Sequence, residues 1–513
     1  MGGQRAPRPE HVSALGIGDL IALLRGEAEV IAPQEGTSTV SVSGVELDSR
    51  RVRPGDLYAA LPGRATHGAR FAEQAVGEGA VAIITDREGE RLLPRVEVPV
   101  LVVDEPRARL GEVAAAVYGN PGERMRVLGV TGTNGKTTVA TMVAAGLRAA
   151  GRTVGVIGTV GTRIGEESFE GVRTTPEAPE LQGLLALMLE RGVDAVVMEV
   201  SSIAVVEHRI DGLVLDVIGF TNLTQDHLDY HGTMDEYFAA KAALFDPARA
   251  RAGVVGIDDE WGGRLLQRAS GAGLPLQTWA LADPHADWHA QRDAGSLRVV
   301  DPRGHRTEFS LRLPGAFNVA NAVCAFAMLD AVGVRPEQAA PGIAEAVVPG
   351  RMQAFAAGGV TGVVDYAHTP DAVERVLRTA RAAYPGQVIA VLGAGGDRDR
   401  AKRPLMGACA AAEADHVIVT DDNPRSEDPR AIRADVLAGV ASVAPARRAS
   451  VEEVGDRLEA ITVAVRRAHA GDVVLVLGKG HERGQEAGGV VAPFDDAAAL
   501  RAALIAAHGD VSP

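Results

Sequence analysis

Long apolar runs are missing from this 513-residue chain. No stretch approaches the roughly 18 residues that a membrane-spanning helix needs. The N-terminus, MGGQRAPRPEHVSALG, has no apolar h-region, and Ala6 stands where a myristoylation signal needs Ser or Thr. Cysteine is nearly absent. Cys324 and Cys409 sit in Ala-rich stretches with helical patterning, which excludes a disulfide framework and fits a reducing cytoplasm. Aromatics make up only 4%, so Ala, Val, Leu and Ile must fill the cores. Positive charge is in deficit, with 52 Lys and Arg against 67 Asp and Glu and a net charge of −15. That balance excludes a polybasic surface for nucleic acid or anionic membrane. Lysine itself is rare: of the 52 basic residues only Lys136, Lys241, Lys402 and Lys479 are lysines. Where arginine serves almost everywhere, a lysine marks a need for a compact ammonium or a deprotonatable amine.

What is present suggests about three domains of roughly 150 residues each. The expected fold is α/β throughout. Residues 1–124 form a small mixed α/β domain with strand-like runs TVSVSGVEL, VAIIT and VPVLVV. Residues 125–349 form a mostly parallel sheet of the kind that carries a phosphate loop, with buried strands in RVLGV, TVGVIGTV, DAVVMEV, LDVIGF and AGVVGI separated by helical stretches. Residues 350–513 form a doubly wound, Rossmann-like sheet. GVVDYA, QVIAVLGAGG, HVIVTDDNP and DVVLVLGKG are strands that each end in a polar or Gly-rich loop, where ligands bind such sheets.

GVTGTNGKTT, residues 129–138, lies between a buried strand and a helix. Backbone amides from Gly132, Thr133, Asn134, Gly135 and Thr138 can wrap phosphate oxygens at the helix N-terminus. Lys136 would reach the β- and γ-phosphates and Thr137 would offer a hydroxyl to Mg²⁺. Val130 breaks the strict phosphate-loop pattern, leaving glycines at 129, 132 and 135 before the lysine. Glu199, at the end of MEV, and His227, in TQDHLDYHG, are candidate Mg²⁺ ligands beside this loop. Lys241 lies on an expected helix, and a neutral lysine amine can add CO₂ to become a carbamate, which arginine cannot do.

The loop resembles that of the Mur ligase family, the ATP-dependent amide-forming ligases of peptidoglycan assembly, and the resemblance extends over nearly the whole chain. It implies that Lys136, Glu199, His227 and Lys241 are catalytic. Thr137, Glu199, His227 and carbamylated Lys241 would hold two Mg²⁺. It further implies that Asn318 lies near the adenine, Arg351 (in GRMQ) on the transferring phosphate and Asp365 (in DYAHTPD) on ribose or phosphate. SGVELDSRRVRPGDLYAALPG resembles a uracil-binding segment, with Leu47, Ser49 and the loop Arg64, Ala65 and Thr66 at matching positions. Thr174, Thr175, Ser201, Glu207 and Arg209 match contacts to the muramoyl dipeptide. Ile203, Glu207 and Arg173 depart from residues common in the family.

Three further loops follow strands of the third region: GGDRDRAKRPLMG with Arg398, DDNPRSEDP, and GKGHE with Gly478 and Glu482. Arginine forks bind carboxylates bidentately. Arg398 and Arg425 with Glu482 therefore suit an amino acid carrying a second carboxylate and a second ammonium. Asp422, Asn423, Pro424 and Arg425 match the D-N-P-R string that the resemblance links to diaminopimelate selection.

The implied activity is addition of diaminopimelate to the D-glutamate side carboxylate of UDP-N-acetylmuramoyl-L-alanyl-D-glutamate. It uses ATP and an acyl phosphate, in a cytoplasmic pathway serving cell wall, shape and division. The partners expected are small molecules, with no nucleic acid, no membrane insertion and a monomeric chain. A folylpolyglutamate synthase-like ligase is the alternative, although it would not need the first domain or the D-N-P-R string. A non-catalytic nucleotide switch would leave Arg398, Arg425 and Glu482 unexplained.

Overall fold

The computed structural model describes residues 7–24, 29–31, 39–63, 65–169, 171, 173–281, 283–293 and 296–509; Arg64 lies outside the described residues. Three sheets organise the chain. The first runs Glu29–Ile31, Val100–Val102, Ala82–Thr85, Asp56–Ala59, Gly44–Glu46 in space, parallel except for its first pair. Leu57, Ile84 and Leu101 pack there against Leu110 and Val113 of the helix Pro106–Val117.

The second sheet has eleven strands. Its centre is parallel, in the order Val154–Gly158, Ala195–Glu199, Arg126–Thr131, Val217–Phe220, Gly253–Gly256, Leu276–Ala280, Trp288–Asp293. The central strands are apolar on both faces because helices cover both. Lys136–Ala149 and the largely buried Ala316–Ala331 pack together on one face, and Ala178–Glu190 and Glu260–Gly271 cover the other. Both edges turn antiparallel, through Gly161–Ile164 and Glu167–Phe169 on one side and Ser296–Val300 and Arg306–Phe309 on the other.

The third sheet runs Gln353–Ala357, Val360–Asp365, Val473–Leu477, Val388–Leu392, His416–Val419, Ser450–Glu453, parallel after its first antiparallel pair. One apolar cluster continues from Leu128, Val139 and Phe326 of the second unit to Val363, Leu377 and Leu475 of the third. Each fully buried side chain of this size contributes about 1.5–3 kcal/mol. Parallel neighbours end at the same edge. The loops after Thr131, Glu199 and Phe220 therefore meet on one side of the second sheet, and those after Asp365, Leu392, Val419 and Leu477 meet on one side of the third.

Candidate active site

The helix Lys136–Ala149 begins at Gly135, and no side chain caps its first amides. Those orphan donors point out of the loop, an arrangement suited to phosphate oxygens. Gly135 has φ +89°, and a Cβ there would lie 2.5 Å from Asn321 Oδ1. At Gly132, with φ +143°, a Cβ would lie 1.9 Å from Thr221 Oγ1. The neighbouring strand's loop braces this turn from below. Thr221 Oγ1 donates to Asn134 O at 2.6 Å, and Asn134 N donates to Asn222 Oδ1 at 3.0 Å. Lys136 Nζ folds back to donate to Gly132 O at 2.9 Å and Thr133 O at 2.8 Å. Burial lowers its pKa, with Glu199 and Asp226 opposing.

Glu199 is buried at the end of its strand. Its carboxylate accepts from Thr159 N at 2.8 Å, Thr159 Oγ1 at 3.0 Å and Thr137 Oγ1 at 3.0 Å. Arg351 Nη2 donates to the same Thr137 hydroxyl at 3.4 Å, while its guanidinium stacks 4.3 Å over the Tyr366 ring. The Thr137 hydroxyl and Glu199 carboxylate are hard oxygen donors side by side, a pair that fits Mg²⁺. Among the described residues no group of three His, Cys, Asp or Glu forms a protein-only cage. His227 stands with Asp226 instead, at 3.5 Å, and burial lowers its pKa.

The helix Met234–Ala242 starts with a capping box between Thr233 and Glu236. Its i, i+4 pair Tyr237 and Lys241 faces inward. Lys241 is 1% exposed, donates to Gly132 O at 2.9 Å and sits 4.5 Å over the Tyr237 ring. Burial, then the nearby Lys136 charge, pushes its pKa well below the usual lysine range.

Asn318, Arg351 and Asp365 line one cavity with Asn134, Gly135 and Thr138. Asn318 Nδ2 donates to Pro314 O at 2.7 Å. Asp365 accepts from Met352 N and Ala367 N, each at 2.8 Å, so its carboxylate fixes the turn through Gly350 and Met352, whose φ values are +65° and +44°. Asp258, Trp279, Tyr366 and His368 also line this cavity and were not singled out by sequence.

A second cavity opens between the first and second sheets. Leu47, Ser49 and Thr66 line it together with Arg107, Arg173, Glu177 and Glu180. Ala65 neighbours Thr66 without lining the cavity. Ser49 Oγ donates to Gln74 Oε1 at 2.9 Å. Arg209 pairs with Glu177 at 3.1 Å, Arg107 with the same carboxylate at 3.1 Å, and Arg173 at 3.6 Å. Glu207 accepts from Tyr230 Oη at 2.8 Å. Thr174, Thr175 and Ser201 continue towards Glu199: Thr159 and Thr174 hydroxyls lie 3.1 Å apart, Thr175 Oγ1 donates to Glu199 O at 2.9 Å, and Ser201 N donates to Thr175 Oγ1 at 3.1 Å.

The third cavity joins the two larger sheets. Arg398, Asp422, Asn423, Arg425, Gly478 and Glu482 line it opposite His227 and Asp226; Pro424 does not. Asn423 Nδ2 donates to Glu482 Oε2 at 2.7 Å, and the fully buried Lys479 Nζ donates to Asn423 Oδ1 at 3.0 Å. Burial raises the Asp422 pKa against the pull of Arg457 and Lys479. Lys402, Tyr366 and His368 are further lining residues. Lys402 Nζ lies 4.0 Å and His368 Nε2 3.9 Å from Asp226. Burial opposes ionisation of Asp226, but His227, His368 and Lys402 outweigh it and hold the carboxyl at about 2. The rarity of lysine flagged Lys402 without giving it a role; nothing in the one-dimensional pattern distinguished Asp226 from its neighbouring acids.

Three family descriptions match the chain: Mur ligase middle domain over residues 130–329, Mur ligase, glutamate ligase domain over 350–480, and Mur ligase family, catalytic domain over 41–118. A UDP-N-acetylmuramoyl-L-alanyl-D-glutamate–2,6-diaminopimelate ligase of Streptomyces avermitilis is 49% identical over 511 residues, covering 98% of this chain and 99% of its own. One of the same name from Corynebacterium glutamicum is 46% identical, covering 94% and 95%. A solved structure of that name aligns with a TM-score of 0.68 at 32% identity, covering 97% of this chain and 99% of the other. A Mycobacterium tuberculosis folylpolyglutamate synthase shares the fold, with a TM-score of 0.60 at 21% identity over 73% of this chain and 92% of its own.

Proposed function

The chain belongs to the Mur ligase family, and we propose that it joins diaminopimelate to the D-glutamate side carboxylate of UDP-N-acetylmuramoyl-L-alanyl-D-glutamate as ATP is converted to ADP and phosphate. The full-length relatives carry that activity in their names. The observation that carries the reading is the third cavity, where two arginines and Lys402 stand among Asp226, Asp422 and Glu482. Diaminopimelate has two carboxylates and two ammonium groups, so a lining of both signs suits it.

Residues 1–124 serve the nucleotide sugar, 125–349 the ATP and 350–513 the amino acid. Leu47, Ser49, Arg64, Ala65 and Thr66 hold the uridine end, and Thr174, Thr175, Ser201, Glu207 and Arg209 the dipeptide. The uncapped helix start and Lys136 hold the triphosphate, whose charge favours the lysine's ammonium form. Asn318, Arg351 and Asp365 line the remainder of that site. Mg²⁺ would be held by Thr137, Glu199, His227 and carbamylated Lys241, and when bound it would neutralise phosphate charge. Carbamylation needs the neutral amine, which burial of Lys241 favours; CO₂ adds to the nitrogen and one proton leaves.

The D-glutamate carboxylate oxygen attacks the γ-phosphorus, and ADP departs with the bonding electron pair. The amine of diaminopimelate then attacks the acyl carbon. Phosphate leaves with the C–O electrons and the new amide sheds a proton. A free carboxylate resists an amine, whereas an acyl phosphate does not. Arg398, Arg425 and Glu482 keep that amine near the acyl carbon, which is where most of the rate gain from positioning arises. The reaction belongs to cytoplasmic cell-wall precursor synthesis and so serves cell shape and division.

A phosphate-release assay over a panel of amino acids, with the muramoyl dipeptide present, tests this. Release should require a diaminopimelate isomer and stay near background with lysine. Turnover with glutamate and a folate would support the folylpolyglutamate synthase alternative. Hydrolysis indifferent to either substrate would support a nucleotide switch.

A further inference from the structure

Arg425 is the only residue of its loop in the left-handed region, at φ +54°, a conformation that costs a non-glycine residue about 1 kcal/mol or more. Such a backbone persists only when its surroundings over-determine it. The surroundings here are a hairpin, Gly484–Ala487 paired with Val490–Pro493. Arg425 N donates to Glu486 O at 2.9 Å, and Gly488 N donates to Arg425 O at 2.7 Å. Glu486 N donates to Asn423 Oδ1 at 3.0 Å, and Gln485 Nε2 donates to Asp422 O at 2.9 Å. The Glu486 carboxylate stands 3.6 Å from Arg425 Nε, while Arg425 Nη1 donates to Gly396 O at 2.6 Å. The hairpin's outer strand is exposed at all four residues, so it buries nothing in a core. What it does touch is the loop that carries Arg425.

We infer that the hairpin Gly484–Pro493 is a specificity clamp: it sets the backbone of residues 422–425 so that Arg425 reads the second carboxylate of the amino-acid substrate. Gln485 and Glu486 are thus positioning residues, acting through Arg425 without touching substrate. The inference rests on the ligase reading above and names a determinant of its selectivity.

Two variants of the full chain test it. Gln485→Ala removes one donor to the loop. Glu486→Pro removes the amide that donates to Asn423 and the carboxylate beside Arg425 Nε, and its ring pushes Asn423 Oδ1 away. The hairpin ladder stays whole because both backbone polar groups of Glu486 face the loop. In each, the KM for diaminopimelate should rise about tenfold while the KM for ATP and kcat stay within about twofold. Selectivity for diaminopimelate over lysine, which lacks the second carboxylate, should fall towards that of Arg425→Ala. Adding Gln485→Ala to Arg425→Ala should change little further, because both act through one contact. An unchanged diaminopimelate KM in both variants, or full additivity with Arg425→Ala, overturns the clamp. Failure of the parent chain to use diaminopimelate at all would instead overturn the ligase reading on which it stands.

Discussion

The proposed reaction makes its most specific demand of a single side chain, Lys241. It is almost wholly buried, close to a second lysine, and bonded to a backbone carbonyl of the phosphate loop. Lys241→Arg keeps a cation but cannot form a carbamate, so activity should fall by at least about a hundredfold while thermal melting shows a folded chain. Retained activity would contradict the carbamate. Gly132→Ala tests the loop itself. The new Cβ meets Thr221 Oγ1 at a φ of +143°, so ATP affinity should drop at least about tenfold and stability by about 1–3 kcal/mol. Binding of a fluorescent ATP analogue and a melting curve measure both. Residues of this kind were legible because their types are unusual: a lysine in an arginine-rich chain, glycines before it, an Asp-Asn-Pro-Arg string. Asp226, Tyr366 and His368 were not, since each is an ordinary residue that acquires a role only when the second and third sheets face each other.

Among elements, the parallel strands were readable because an apolar run covered on both faces has few other fates. The helix after the phosphate loop begins inside that motif, at Lys136. The antiparallel edges Gly161–Phe169 and Ser296–Phe309, and the strand Gln353–Ala357, escaped. They are short, and charged or exposed positions break up their apolar pattern. Loop-to-loop ties were equally invisible, and Glu427 is the chief one. It accepts from Asp397 N at 2.6 Å, from Arg400 at 2.7 Å and from Arg403 at 2.7 Å, clipping the Arg398 loop to the Arg425 loop. Arg403 foremost, with Arg400, holds its carboxyl down to about 2 against some burial. A depressed carboxyl stabilises the fold above its unfolded value, near 4.5, and that contribution is lost as pH falls from there towards about 2. Glu427→Gln should therefore melt earlier than the parent at about pH 7, and the gap should close as pH drops through that window. A gap that stays constant or widens in acid would mean that the clip does not depend on charge.

Across the whole molecule, the third sheet's loops lean on the second at a few polar points. Asn134 Nδ2 donates to Asp371 Oδ2 at 3.3 Å, Arg351 reaches Thr137 at 3.4 Å, and Lys402 and His368 flank Asp226. On the proposed assignment the third cavity then faces the phosphate loop, so an acyl group activated on one side would meet an amine held on the other. That arrangement fixes the fate of one oxygen atom, since the carboxylate oxygen that attacks ATP must leave with the phosphate. The most direct measurement uses muramoyl dipeptide labelled with ¹⁸O in the D-glutamate side carboxylate, turned over with ATP and diaminopimelate. Mass spectrometry of the products should find one ¹⁸O in each phosphate released. Tripeptide formed with unlabelled phosphate would contradict the acyl phosphate and the account built on it.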